Sequence, residues 1–310
     1  MSQPESAVAD AKARGRKGGA PSPGKESLAD LAARYGLKRA IARPSLPAYL
    51  RQLWDRRHFI YTYATSRNVS KYSGSVLGQL WQVLTPMLNA GIYYLMFGVI
   101  LGARDDVENY PAFLITGMFI FTFTQRSVTG GAKSISSNLS LIRALHFPRA
   151  ALPLAYTIQE LQQLVISMCV LAGVILLTQE PLTMAWLLIP VGLLMQLMFN
   201  VGASLVLARI GATARDMNQL LPFIMRTWLY TSGVFFAIGS RVESAGLPPV
   251  IADILYANPA SAYIEFMRDL LITSYEPRPW IWMACVFWAV FALVVGFWYF
   301  WRAEERYGRG

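Results

Sequence analysis

The chain has 310 residues, 55% of them hydrophobic and 15% charged, whereas a soluble domain carries about 25% charged residues. That shortage argues against an ordinary soluble domain and predicts an all-α membrane protein, its many aromatic rings serving as packing and as anchors at the water interfaces. The formal charge of +10 does not argue for nucleic acid, because residues 1–75 hold fourteen Lys/Arg against five Asp/Glu and no zinc-finger or RNA-recognition spacing occurs.

Residues 1–45 are rich in Gly, Pro, Ala, Ser and Lys and have no apolar core. They read as a disordered basic cytoplasmic tail, not as a cleaved secretory signal. Within them GAPSPGK, residues 19–25, has the letters of a phosphate-binding loop. Glu26, however, stands where Ser or Thr should meet magnesium, Pro21 and Pro23 sit in the turn, and no strand precedes it. Any ATP is therefore expected on another chain. Residues 46–70 are too charged to cross a bilayer. Leu50, Leu53, Trp54, Tyr61 and Ala64 recur at helical spacing, with Arg51, Asp55, Arg56 and His58 toward the other side, which predicts an amphipathic interfacial helix.

From residue 71 to 305 the sequence reads as one six-span domain. The spans fall near 81–101, 111–131, 155–177, 184–210, 220–236 and 280–301, judged by the roughly 20 apolar residues that cross about 30 Å of hydrocarbon. The tail, the 132–154 and 209–219 loops and the C-terminus (residues 306–310 at its end) hold twenty-two Lys/Arg, against four in the opposite loops. By the positive-inside rule both termini are expected in the cytoplasm. Residues 237–279 then lie outside. Their apolar pieces are too short to span, and starts at Pro248 and Pro259, with Asn258 as a cap, predict two short re-entrant helices. No inverted repeat is visible.

Catalytic material is sparse. Cys169 and Cys285 sit in apolar runs, and His58 and His146 are the only histidines, so no metal site or hydrolytic triad is expected. The pair Asp105 and Asp106 reads as a solvated loop. Three ionisable groups do fall within expected spans: Arg126, Glu160 and Arg226. All three should lie toward the inner leaflet, where such groups face an interior or pair with one another.

Five blocks carry a family resemblance. The stretch 71–102 presents Lys71 and Tyr72, then Ser75, Leu77, Gly78, Leu80 and Trp81, then Pro86, and an aromatic run with Tyr94, Phe97 and Gly98. It is followed in order by YPAFLITGMFIF, NLSLIRALHFPRAALPL, ARD at 214–216 and NPASAYIEFMRD. Over about residues 46–305 this resembles the membrane domain of type-2 ABC exporters of O-antigen, teichoic acid, capsule and related glycans. One departure is Ser232-Gly233, where the family often has Ser-Pro.

The resemblance implies an inner-membrane, multi-pass permease subunit, not itself an enzyme, that works as two copies with two copies of a separate ATPase holding ATP and magnesium. Its other partners would be the bilayer and a lipid-linked polysaccharide, a galactan first, with teichoic acid or O-antigen behind it. The loop of Leu141, Ile142, Arg143, Leu145, His146, Phe147, Pro148 and Arg149 would dock on the ATPase, joined by Trp54, Arg56 and Arg57 of the interfacial helix. Tyr93, Tyr94, Phe97, Phe119, Phe121, Trp228, Tyr230, Phe235 and Phe236 would be candidates to line a channel between the two copies. Arg126, Glu160 and Arg226 would gather at its inner mouth, one arginine meeting the pyrophosphate of the lipid carrier. An exporter of lipids or drugs with the same architecture, or a membrane-embedded glycosyltransferase or phosphatase active without an ATPase, are the alternatives.

Overall fold

A computed structural model of the chain describes residues 44–102, 107–145, 147–214, 216–275 and 278–306, the side chains of Gln79 and Arg306 excepted. The tail through residue 43, Arg104, Asp105, Asp106, His146, Arg215 and residues 307–310 lie outside the described residues. Those that are described form helices joined by short turns, with no strand among them.

The interfacial segment is two helices, α1 (Leu46–Asp55) and α2 (Arg57–Tyr72), and not one. The break is at Arg56, whose φ of −92° and ψ of 9° are non-helical. The expected apolar face also divides. Tyr49, Leu53, Ile60, Ala64 and Asn68 turn inward, four or seven residues apart, while Leu50, Trp54 and Tyr61 stay outside, Trp54 at 69% exposure. Sequence periodicity placed the face about one residue too far along, because Tyr49 has a polar tip that finds buried partners inside.

α3 (Trp81–Tyr93) continues without interruption into π-helical turns over Tyr94–Ile100, where the Leu101 N–H reaches the Met96 carbonyl five residues back. Most of its apolar length is exposed, including Met87, Leu88, Ile92, Leu95 and Val99. α4 (Tyr110–Ser134) starts on Asn109, whose side chain accepts from the Ala112 N–H, with Pro111 pre-set for the first turn. α5 (Leu139–Ala144) is a short helix in the loop before α6 (Ala151–Leu177). A 3₁₀ stretch, Met184–Leu188, leads into α7 (Ile189–Thr213), and α8 (Met217–Thr231) follows. Three short helices come next, α9 (Ile238–Ser244), α10 (Pro249–Ala257) and α11 (Pro259–Leu271). The last two start at the expected prolines, and Asn258 caps α11 by accepting from the Ala260 N–H. α9 is an addition that sequence reading did not anticipate. α12 (Pro279–Trp301) and a 3₁₀ turn, Glu304–Arg306, close the described chain.

Four stretches are long and apolar enough to cross a membrane: Trp81–Ile100, Ala151–Leu177, Met184–Thr213 and Pro279–Trp301. The two other expected spans differ from these. α4 has 25 residues but carries Gln125, Arg126 and Lys133 among many small polar groups, and protein encloses most of it. α8 has 15 residues with Pro222 inside, which is about 22 Å of helix.

α4 is the central helix, packed between α6 and α7, and α7 lies along α12. Small residues set these approaches. A Cβ on Gly202 would stand 2.1 Å from the Ala292 carbonyl carbon and oxygen, one on Gly296 2.2 Å from the Gly202 oxygen, and one on Gly131 2.1 Å from Ser204 Oγ. Two main apolar cores result. One joins α4, α7 and α12 to α11, and the other joins α1, α2 and the start of α6 to the end of α12.

Candidate functional site

The end of the molecule that holds α1, α5 and the final turn is organised around Glu304. Tyr49 Oη donates to one carboxylate oxygen at 2.8 Å, and the Arg149 backbone N–H donates to the other at 3.0 Å. The Arg149 guanidinium donates to the Glu304 carbonyl at 2.6 Å and stands 3.8 Å from its carboxylate. The Ala150 N–H donates to Tyr49 Oη, and the Trp301 indole donates to the Pro44 carbonyl. Burial pushes the Glu304 pKa up, and the donors from Arg149 and Tyr49 pull it back only in part. The expected loop thus separates into two faces. Arg149 turns inward to this latch, so the charge expected to face a partner instead holds the loop in place. Pro148 and Ile142 are buried, Phe147 packs on Phe59 at 5.3 Å between ring centres, and Leu141 is half-buried. Arg143, Leu145, Trp54, Arg56 and Arg57 remain exposed, with Arg57 lying over the Trp54 ring.

The α2 helix is fastened beside this loop. Tyr63 Oη donates to Asn138, Arg67 Nε donates to Gln159 and stacks 3.9 Å over Tyr156, and Asn68 donates to the Gln159 carbonyl.

Arg126 and Glu160 meet across α4 and α6 with 3.9 Å between Nη1 and Oε2, their side chains 30% and 14% exposed. They stand in a cleft of about 410 Å³ between α3, α4 and α6. Arg226 is not part of it. It lies exposed on α8, with no ion pair to any described residue.

The aromatic set is likewise divided. Phe97 and Phe235 stack at 4.3 Å, with Tyr93 and Tyr230 against Phe235. Phe121 meets Trp228 edge-on at 6.0 Å, and Tyr94 lies 6.1 Å from Tyr110. Phe119, Phe121 and Phe235 are 5%, 1% and 0% exposed, so they are packed in the chain's own core. Tyr230 is exposed, and Tyr93, Tyr94, Phe97, Trp228 and Phe236 are half-buried.

Sequence reasoning missed a buried centre at the opposite end. Arg268 has no exposed surface. Its guanidinium donates to the carbonyls of Phe113, Gly233 and Val234 and pairs with Glu265 at 2.9 Å, while Tyr275 donates to the other Glu265 oxygen. Burial, with the adjacent Glu265 charge, raises the Tyr275 pKa. Gly233, the residue that departs from the family's Ser-Pro, has φ +65°, a conformation that glycine enters freely, and this aims its carbonyl at Arg268. The signal in the sequence was a Glu and an Arg three apart inside the apolar run of NPASAYIEFMRD. Among the described residues, no group of three or more His, Cys, Asp or Glu gathers to hold a metal.

Long apolar helices packed around a polar central one define the class, a helical multi-pass membrane protein. The family profile of the ABC-2 type transporter matches residues 60–272, more than half of the chain, and the chain belongs to that family. It is 28% identical over 229 residues to the O-antigen export system permease protein RfbA of Myxococcus xanthus, covering 74% of this chain and 85% of that protein. A protein of the same name from Klebsiella pneumoniae is 27% identical over 205 residues, 66% of this chain and 76% of that one. The capsule polysaccharide export inner-membrane protein CtrC of Neisseria meningitidis serogroup B is 23% identical over 228 residues, 70% of this chain and 81% of that one.

Proposed function

We propose that the chain is the inner-membrane permease subunit of an ATP-driven exporter of a lipid-linked cell-envelope polysaccharide. The observation that carries this is that relatives covered over most of their length are named for export of O-antigen or capsule polysaccharide. The glycan is of the O-antigen, galactan or teichoic-acid kind. Six spans serve it, α3, α4, α6, α7, α8 and α12, with α10 and α11 re-entrant and both termini cytoplasmic, as the charge bias of the loops supports.

Two copies enclose the channel, and two copies of an ATPase subunit bind ATP and magnesium below them. Arg143 and Leu145, with Trp54, Arg56 and Arg57, present the ATPase-facing surface. The Arg149–Glu304 latch holds that surface rigid, so that a push on the loop moves α1, α6 and α12 together. Tyr230 and the half-buried aromatics are the rings on which sugar C–H faces slide. An exposed arginine on a helix at membrane depth is costly against lipid, which supports placing Arg226 at the aqueous mouth, facing the carrier's diphosphate.

The test is to purify the tagged chain with the proteins of its own host and measure ATP hydrolysis in nanodiscs. An ATPase should co-purify, and its turnover should rise when lipid-linked glycan is added. A permease that never retains an ATPase, or a complex stimulated by phospholipid as well as by glycan, contradicts the reading.

A further inference from the structure

Gln163 lines the cleft beside Glu160 and is 5% exposed. Its Nε2 donates to the Gln82 carbonyl at 2.6 Å, which fixes the amide's orientation, since the flipped amide would set two oxygens against each other. Its Oε1 is then buried with no donor. Leaving a buried acceptor unpaired costs free energy, so the atom marks a place where a donor arrives. The oxygen of a diphosphate diester has no proton to give. A hydroxyl or an amide N–H does.

The remaining walls have a matching character. Arg126 and Glu160, paired at 3.9 Å, offer donors and an acceptor with no net charge between them. Asn89 and Thr122 add polar edges, and Phe119 and Phe123 add ring surface in the same cleft. Hydroxyls against polar groups and C–H faces against rings are what a neutral sugar needs; a diphosphate would need uncompensated positive charge.

We propose that this cleft binds the uncharged sugar next to the lipid diphosphate, with Gln163 Oε1 accepting a hydroxyl or N-acetyl N–H and the Arg126–Glu160 pair completing the contacts. The proposal rests on the export reading and adds a specificity-determining position to it: Gln163 reads the sugar, whereas Arg226 meets the diphosphate.

The test uses the purified full chain in nanodiscs, titrated with farnesyl diphosphate and with farnesyl diphosphoryl-N-acetylglucosamine. The sugar-bearing probe should bind about tenfold more tightly than the sugar-free one, and Gln163→Leu should bring that ratio near one. Asn89 is exposed, so Asn89→Leu should fold normally and lower the ratio as well. If Gln163→Leu is not monodisperse, Asn89→Leu decides alone. Equal affinity of the two probes for the unmodified chain, or a ratio retained in both variants, overturns the assignment. Phosphatidylglycerol, whose headgroup also carries hydroxyls, is the third arm. If it displaces the sugar-bearing probe as readily as free glycolipid does, the cleft is a bulk-lipid site and the proposal falls. Failure of the export reading itself is distinguishable, because then neither diphosphate binds and no ATPase is retained.

Discussion

Single residues hold each end of the molecule, and both ends use buried polar groups that no neighbour in sequence announces. Arg268 satisfies three carbonyls and one carboxylate without any solvent, so Arg268→Met should destabilise the fold by about 3–5 kcal/mol. Thermal unfolding in detergent would read this directly. Arg268→Lys should recover only part, since an ammonium cannot fork to several acceptors at once. Glu304 makes a prediction in pH. Its carboxyl is raised above the ordinary 4.5 by burial, so the folded state binds the proton more tightly than the unfolded one. Its contribution is then fully present below the ordinary carboxylate range and declines as pH rises through the raised value. Proteolysis of α1, followed from acid to neutral pH, should accelerate over that window, and Glu304→Gln should flatten the change. Acceleration in the opposite direction would refute the assignment of the group.

At the scale of elements, helix existence was legible and helix facing was not. Long apolar runs place α3, α6, α7 and α12, because crossing length and hydropathy are properties of a local window. Proline starts and the Asn258 cap place α10 and α11 for the same reason. The break at Arg56 and the inward turn of Tyr49 depend on Glu304, 255 residues away, and no local window contains that pairing. The candidate site divides in the same way. The Arg126–Glu160 contact follows from two charges in apolar runs, whereas the inward use of Arg149, the separation of Arg226 and the free acceptor on Gln163 come from tertiary geometry. The closest helix approach yields a sharp expectation. Gly202→Val would drive side-chain atoms into the Ala292 backbone, which has no rotamer to yield, so the α7–α12 pair should fail to close. Loss of a monodisperse peak at normal expression would show it, and a variant with unchanged melting temperature would contradict it.

Over the whole molecule, the two ends are built differently. The end with Arg268 ties α11 to α4 and to the turn after α8 through carbonyls, a stiff connection. The end with Glu304 ties three separated segments through one carboxylate and leaves a basic, apolar surface outside. In the assembled exporter, Leu145→Glu, at a position 50% exposed, should reduce ATPase retention at least several-fold while the isolated chain melts unchanged. Unaltered co-purification would remove the loop from the docking surface.

The Tyr49–Glu304 contact also has a consequence in time. A ribosome emits residue 49 long before residue 304, so α1 is synthesised without the carboxylate that will fix it and waits on the membrane surface through the insertion of every later helix. The loop at Arg149 waits with it. The surface they form is therefore the last part of the permease to mature, and its completion reports that α12 has been made and inserted. A nascent chain stalled after Trp301 should hold all its spans and still leave α1 open to protease, which turns one buried acid into a checkpoint on the order of assembly.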